Sequence, residues 1–326
     1  MKRSRGPLRI GTRSSALALW QTERVRSLLR AAGYETERVE IKTTGDLAPE
    51  IPLTRIGSRA LFTKQIDDAL LEGRIDLAVH SLKDLPTQLP DGITIGAVGS
   101  REDPRDALVG RGPIHWTDLP DSAVIATSSL RRRAQLLHLR SDLKVVDLRG
   151  NVETRLAKLD SHPQWAAILL AAAGLVRLGL GHRIGERLAP DLMLPAPGQG
   201  ALAVTVRVDD PTVAAGARKA VHDPATALPV AAERAFLRRL EGGCQVPVAA
   251  YARPSPDGTR GILRLHGRVV STDGQTMVEG QELGPAMDEE QAAVLGAALA
   301  ERLLADGAGA ILTGARAAAA PAVTAP

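Results

Sequence analysis

Only one cysteine, Cys244, stands in the 326 residues. A lone cysteine excludes an internal disulfide framework. No cysteine or histidine spacing suggests a metal site either. Aromatic residues are scarce, with three Trp, two Tyr and two Phe. Platforms that stack single-stranded nucleic acid need more, and none of these seven lies in a basic cluster. Nucleic acid is therefore not an expected partner. No apolar run reaches the roughly 18 residues that would suggest a membrane span. The basic start Met1-Lys2-Arg3-Ser4-Arg5 leads to Arg9 and Arg13, not to an apolar stretch, so a secretory signal is not expected. These absences lead to the expectation of a cytoplasmic protein. The charge excess is small, 41 basic against 37 acidic residues, so its placement matters more than its total.

What is present alternates between short apolar strands and amphipathic helices. Leu8 to Thr12 reads as a strand and Arg13-Ser14-Ser15 as a turn. Val25, Leu28, Leu29 and Ala32 form one helical face that Gly33 ends. Val39 and Ile41 alternate with charged residues as a half-buried strand. Leu47 to Ala60 lacks periodicity and reads as a mobile loop over a site. Phe62, Ile66, Ala69 and Leu70 make the next helical face, and Leu77-Ala78-Val79 a third strand. This order predicts parallel pairing with helices on both faces. After the charged break Arg101 to Asp106 the pattern restarts. Strands are expected at 123–126, 145–148 and 167–170, with helices at 130–139 and 152–159. The Pro/Gly-rich stretch Leu194 to Ala201 then leads to a strand, Leu202 to Val208, that returns to the first unit. Such a double crossing would act as a hinge. From Pro224 onward a helix, short strands near 248–253, 263–270 and 276–282, and a helix at 288–304 read as a smaller α+β unit.

The expected fold class is thus α/β. Two α/β domains of one kind share a hinge, and a C-terminal α+β domain carries a three-stranded antiparallel sheet. The expected boundaries are 1–101 with 200–222, 102–199 and 223–314. The Ala/Pro-rich residues 315–326 are expected to form a disordered tail.

Candidate chemistry gathers where strands give way to turns, because ligands of open α/β sheets bind beyond the carboxyl ends of the strands. Lys83 and Asp84 follow the third strand. A cation there can hold an anion, while a carboxylate moves protons or faces a developing cation. The pair reads equally as a solvated turn. Arg13 and Ser15 open the first helix, a ready anion site. Ser128 and Ser129 open another. Arg131-Arg132-Arg133 follow in its first turn, where positive charge opposes the helix dipole. A bound anion would offset them. Arg149 and Arg155 bracket the next turn. Arginine suits bidentate carboxylate binding. Several arginines in separate places point to a ligand with several carboxylates, held between two domains. Cys244 follows two glycines in a non-helical stretch and is open to close approach, or is an incidental free thiol.

Seven strings in order resemble the porphobilinogen deaminase family: TRSSALALWQ at 12–21, AVHSLKDLP at 78–86, REDPRDA at 101–107, TSSLRRRAQL at 127–136, LRGNVETRLAKLD at 148–160, LPAPGQGAL at 194–202 and LEGGCQVPVAAY at 240–251. The resemblance implies three domains, the first two like periplasmic binding proteins. It also implies a dipyrromethane cofactor joined by a thioether to Cys244. The implied reaction adds four porphobilinogen units with loss of ammonia, and hydrolysis then releases hydroxymethylbilane. The resemblance makes Asp84 the catalytic residue. Arg13, Ser15, Lys83, Thr127, Ser128, Ser129, Arg131, Arg132, Arg149, Gly150, Arg155 and Gln199 become cofactor and substrate ligands, and Arg59 and Phe62 part of a lid. The implied partners are porphobilinogen and the growing oligopyrrole, and a monomer is expected.

The departures fall mainly in the lid. The family commonly reads GGKGLF followed by a glutamate, where this chain has Gly57-Ser58-Arg59-Ala60-Leu61-Phe62 and Gln65. Arg59 keeps the charge, while Ala60 replaces a glycine. Ala16 replaces a common proline at a helix start that tolerates either. A non-enzymatic clamshell that binds a polycarboxylate would also explain the two α/β units and the arginines, but not the third unit or Cys244.

Overall fold

The computed structural model describes residues 6–43, 63–240 and 246–319. Arg59, Phe62, the whole of the 47–60 loop expectation and Cys244 lie outside the described residues.

The chain first builds β1 (Leu8–Thr12), α1 (Ala16–Ala31), β2 (Thr36–Glu40), α2 (Lys64–Leu71), β3 (Leu77–Ser81) and β4 (Ile93–Val98). It crosses to a second sheet through β5 (Asp106–Val109), β6 (Val124–Ala126), α3 (Leu130–Leu139), β7 (Lys144–Val146), α4 (Val152–Ser161), β8 (Ala167–Ala171), α5 (Ala172–Arg177) and β9 (Glu186–Arg187). It then returns with β10 (Leu202–Arg207) and α6 (Pro211–Val221). The last part holds α7 (Pro224–Arg239), β11 (Val248–Pro254), β12 (Ile262–Val270), β13 (Met277–Pro285), α8 (Glu289–Leu303) and α9 (Gly309–Ala319).

The first sheet has the order β2-β1-β3-β10-β4 and the second β7-β6-β8-β5-β9. Both are mixed, where the strand-helix alternation led to parallel pairing. β10 runs antiparallel to β3 and β4, and β5 antiparallel to β8 and β9. The strands that cross between sheets cause this. β10 re-enters the first sheet beside β3, placing Val204 opposite Val79. Ile10, Leu77, Val79, Val204 and Val206 pack against Val25 and Leu29 of α1 and Val213 of α6. Burying each such side chain contributes roughly 1.5–3 kcal/mol.

The third sheet, β11-β12-β13, is antiparallel throughout. Its inner face, with Ala250, Leu263, Leu265 and Val269, packs on Phe236 of α7 and Leu295 and Leu299 of α8. The tail expectation at 315–326 is corrected for its first residues. α9 runs to Ala319, and Ile311, Leu312 and Ala315 are buried. Alanine is the best helix former, so an Ala-rich stretch with one apolar face to bury stays helical.

One carboxylate ties both crossings to the C-terminal sheet. Arg101, in the first crossing, forks onto the fully buried Glu233 of α7 at 2.7 and 3.0 Å. Glu233 also accepts from the backbone N–H of Gly198, in the second crossing, at 2.7 Å and from that of Ala252, on β11, at 2.9 Å.

Candidate active site

β1, β2 and β3 run parallel, as do β6, β7 and β8. Arg13, Lys83 and Asp84 therefore lie beyond the carboxyl ends of the first sheet's strands. Thr127 to Arg132 and Arg149 to Arg155 lie beyond those of the second.

After Ser81 the chain makes one 3₁₀ turn, Leu82–Asp84. Leu82 is buried and anchors the turn, while Asp84 is exposed. The carbonyl of Pro86 accepts from Arg234 of α7 at 2.8 Å, which holds the end of the turn. Lys83 Nζ donates to Gln199 Oε1 at 3.2 Å. Desolvation lowers the Lys83 ammonium to about 8, against the pull of Asp84 toward the charged form.

Gln199 sits in the second crossing and is fully buried. Its amide nitrogen donates to Pro104 O at 2.7 Å and to Asp106 Oδ1 at 3.0 Å. Asp106 is fully buried at the start of β5. Arg131 reaches both its oxygens, at 2.7 and 3.2 Å. Arg132 reaches Oδ1 with Nη2 at 2.7 Å and Nε at 3.0 Å. The anion expected to offset these helix-start arginines is thus, first of all, supplied by the chain itself. The two guanidiniums hold the Asp106 carboxyl far below the usual carboxylate range, despite its burial. Lys83, Gln199, Asp106, Arg131 and Arg132 form one hydrogen-bonded chain from the first sheet to the second.

The serines expected as ligands also serve the backbone. Ser129 Oγ caps α3 by accepting from Arg132 N at 3.4 Å, and Ser15 caps α1 through Ala18 N at 3.4 Å. Ser128 Oγ both donates to and accepts from the backbone of Leu148, at 3.0 Å each, joining two turns. Thr127 Oγ1 accepts from Ser129 N at 3.2 Å. Gly150 has φ of +113°, and a Cβ there would lie 2.6 Å from Thr154 Cγ2. That backbone lets Gly150 O accept from Arg155 Nε at 2.8 Å. Burial, with Arg132 and Arg149 nearby, lowers Arg155 to about 10, while Asp84 pulls the other way. Asp84 of the first sheet is therefore electrostatically coupled to Lys83 beside it and to Arg155 of the second sheet. Arg13 is half-buried at the end of β1. Its charge and, foremost, burial hold His80 at about 4, so His80 is a neutral imidazole, 3.1 Å from Thr205 Oγ1.

Two buried partners escaped the sequence reading. Asp106 lay in a stretch read as a charged break, yet a carboxylate that opens an apolar strand needs a buried partner. Glu233 sat on a helix read only for its apolar spacing. A cavity of about 440 Å³ lies away from these residues, at the amino end of the first sheet. Four of its charged residues pair with one another, Arg9 with Asp76 and Arg207 with Asp210. Among the described residues no cluster of His, Cys, Asp and Glu is placed to hold a metal ion, and no helix is long and apolar enough to cross a membrane.

The site residues fit a polycarboxylate cofactor and substrate. Asp84 pulls on Lys83 and Arg155, and Asp106 pairs with Arg131 and Arg132. The lowered values of Lys83 and Arg155 record the cost of holding that charge out of water, which a bound carboxylate removes.

Residues 8–215 match the family model "porphobilinogen deaminase, dipyromethane cofactor binding domain" and residues 227–305 match "porphobilinogen deaminase, C-terminal domain". A porphobilinogen deaminase of Rubrobacter xylanophilus is 52% identical over 308 residues, covering 94% of this chain and 97% of that one. One from Geotalea daltonii is 50% identical over 307 residues, covering 94% and 93%. Among solved structures, a periplasmic substrate-binding protein of an ABC transporter from Coxiella burnetii is 16% identical. It covers 70% of this chain and 96% of that one with a TM-score of 0.43, too low to carry weight. The matching family models and these relatives define a transferase of tetrapyrrole biosynthesis that uses a dipyrromethane cofactor. The chain belongs to the porphobilinogen deaminase family. It is an enzyme that joins porphobilinogen units with loss of ammonia, and the reading as a non-enzymatic clamshell is set aside.

Proposed function

We propose that Asp84 is the catalytic carboxylate of this polymerisation and that Lys83, Arg13, Arg131, Arg132, Arg149 and Arg155 hold the carboxylates of the growing chain. The exposed Asp84 carboxylate, set against cations from both sheets, is the observation that carries this reading. Porphobilinogen brings an acetate, a propionate and an aminomethyl group. Each added unit therefore adds two carboxylates, which these basic side chains answer. When the aminomethyl C–N bond breaks, ammonia leaves and the ring carries an azafulvene-like cation. Asp84 stabilises that cation, because a fixed carboxylate beside developing charge needs no reorganisation. The new C–C bond forms at a pyrrole carbon, which then loses its proton to Asp84. The cofactor, when bound, supplies the pyrrole terminus on which elongation starts.

On the same reading, Cys244 carries the cofactor by a thioether, and Ser15, Thr127, Ser128, Ser129, Gly150 and Gln199 shape the cleft that receives it. Arg59 and Phe62 belong to its lid. The two α/β sheets, bounded at 1–101 with 200–222 and at 102–199, act as lobes hinged at the two crossings. The unit from 223 onward bears the cofactor. We also read the protein as a cytoplasmic monomer that does not bind nucleic acid.

Asp84→Asn tests the assignment. The variant should carry the cofactor and fold normally while losing most of its turnover. A near-normal rate would sink the assignment.

A further inference from the structure

The C-terminal sheet reaches into the second α/β unit at one buried point. Arg268 of β12 is 7% exposed, and its guanidinium has three partners. Nε donates to Glu279 Oε2 at 2.8 Å, Nη1 to Gln135 Oε1 at 3.0 Å and Nη2 to Asp191 O at 3.1 Å. Gln135 lies on α3, one turn after Arg131, and is 2% exposed. Its amide clamps Leu194 from both sides. Oε1 accepts from Leu194 N at 2.9 Å, and Nε2 donates to Leu194 O at 3.1 Å. Arg131 Nη1 donates to that same carbonyl at 2.7 Å. A second contact lies one turn further along α3. There Gly274, in the β12–β13 turn with φ of +78°, accepts at its carbonyl from His138 Nδ1 at 2.8 Å. A Cβ on Gly274 would lie 2.5 Å from His138 N, so the turn sits directly on the helix.

We propose that Arg268 is a positioning residue for the polymerisation: through Gln135 it sets where α3, and so Arg131 and Arg132, stands relative to the unit that bears Cys244. This rests on the function proposed above. A chain tethered to one unit and gripped by arginines of another needs the two held at a fixed spacing. The described contacts between the C-terminal sheet and α3 are these buried bonds and the Gly274 turn. Arg268 does not itself line the cleft. Its effect is on where the gripping groups stand, and a displaced guanidinium grips a carboxylate less tightly because bidentate pairing is geometrically specific.

The test uses the full-length holoenzyme, with cofactor loading checked by intact mass. Arg268→Leu, Gln135→Met and the double variant are compared with the parent. Each single change is expected to lower kcat/KM for porphobilinogen by about tenfold, mainly through KM. The double variant should fall no further than the worse single, because both break one connection. Arg268→Lys, which keeps one donor, should recover part of the loss. If Arg268→Leu is recovered unfolded, Arg268→Lys, Gln135→Met and their double variant give the same comparison. A fully loaded Arg268→Leu enzyme with parental kcat/KM overturns the proposal, even if its thermal midpoint falls. So do losses that multiply in the double variant. A parent that neither carries pyrrole mass nor consumes porphobilinogen would instead overturn the functional reading, before any variant is made.

Discussion

Lys83 and Gln199 meet across 3.2 Å, joining the end of β3 to the crossing that leads back from the second sheet. Through Gln199 the ammonium is linked to Asp106 and its two arginines. Desolvation holds Lys83 at about 8, so its charged form prevails below that pH and fades above it. An anion-binding role for Lys83 then predicts that kcat/KM for porphobilinogen falls as pH rises through about 8. Lys83→Arg stays charged and should lose that alkaline limb. A limb unchanged in the variant would remove Lys83 as its source.

Asp106 is the counter-ion of two buried arginines, and Asp106→Asn leaves both without a charge partner. Breaking a buried ion pair from one side costs about 3–5 kcal/mol. The variant should show a large drop in the denaturant midpoint. Because the folded carboxyl titrates far below its unfolded value, the stabilisation is present above the ordinary Asp pKa and is lost in acid. Denaturant titrations of the parent and Asp106→Asn should converge as pH falls.

His80 behaves with the opposite charge type. Its folded value of about 4 lies below the ordinary 6.5, so the unfolded chain takes the proton first as pH falls. Between pH 7 and 5 this lowers stability by about 2 kcal/mol. His80→Gln keeps a donor toward Thr205 and should lose less stability over that interval than the parent. Equal losses would show that His80 is not held neutral.

Gly150→Ala tests the turn that seats Arg155. With φ of +113° and Thr154 Cγ2 in the way, a Cβ forces the turn to shift, at a cost of about 1–3 kcal/mol. The carbonyl that accepts from Arg155 moves with it. Porphobilinogen KM should rise in the folded variant, and an unchanged KM would separate this turn from the binding surface.

Much of this molecule was legible before its structure. Period-two and period-3.6 apolar spacing located β1, α1, β3, α3, α4 and the three strands of the last sheet to within a few residues. Helix starts identified Ser15 and Ser129 because caps are local. The missing parts are non-local. Antiparallel entry of β5 and β10 follows from crossings between sheets, which no local pattern records. Asp106 and Glu233 looked like ordinary charged residues. Their burial depends on arginines 25 or more positions away in sequence. Residues 315–319 of α9 read as tail because alanine and proline together resemble a linker, and only the helix and its buried Ala315 show otherwise.

The central claim is that this chain builds its product on pyrroles tethered at Cys244, and intact mass of the purified, denatured protein tests it most directly. The account predicts a mass excess of two linked pyrrole units that Cys244→Ser abolishes. A polypeptide that shows no pyrrole adduct on Cys244, even after incubation with porphobilinogen, would contradict it.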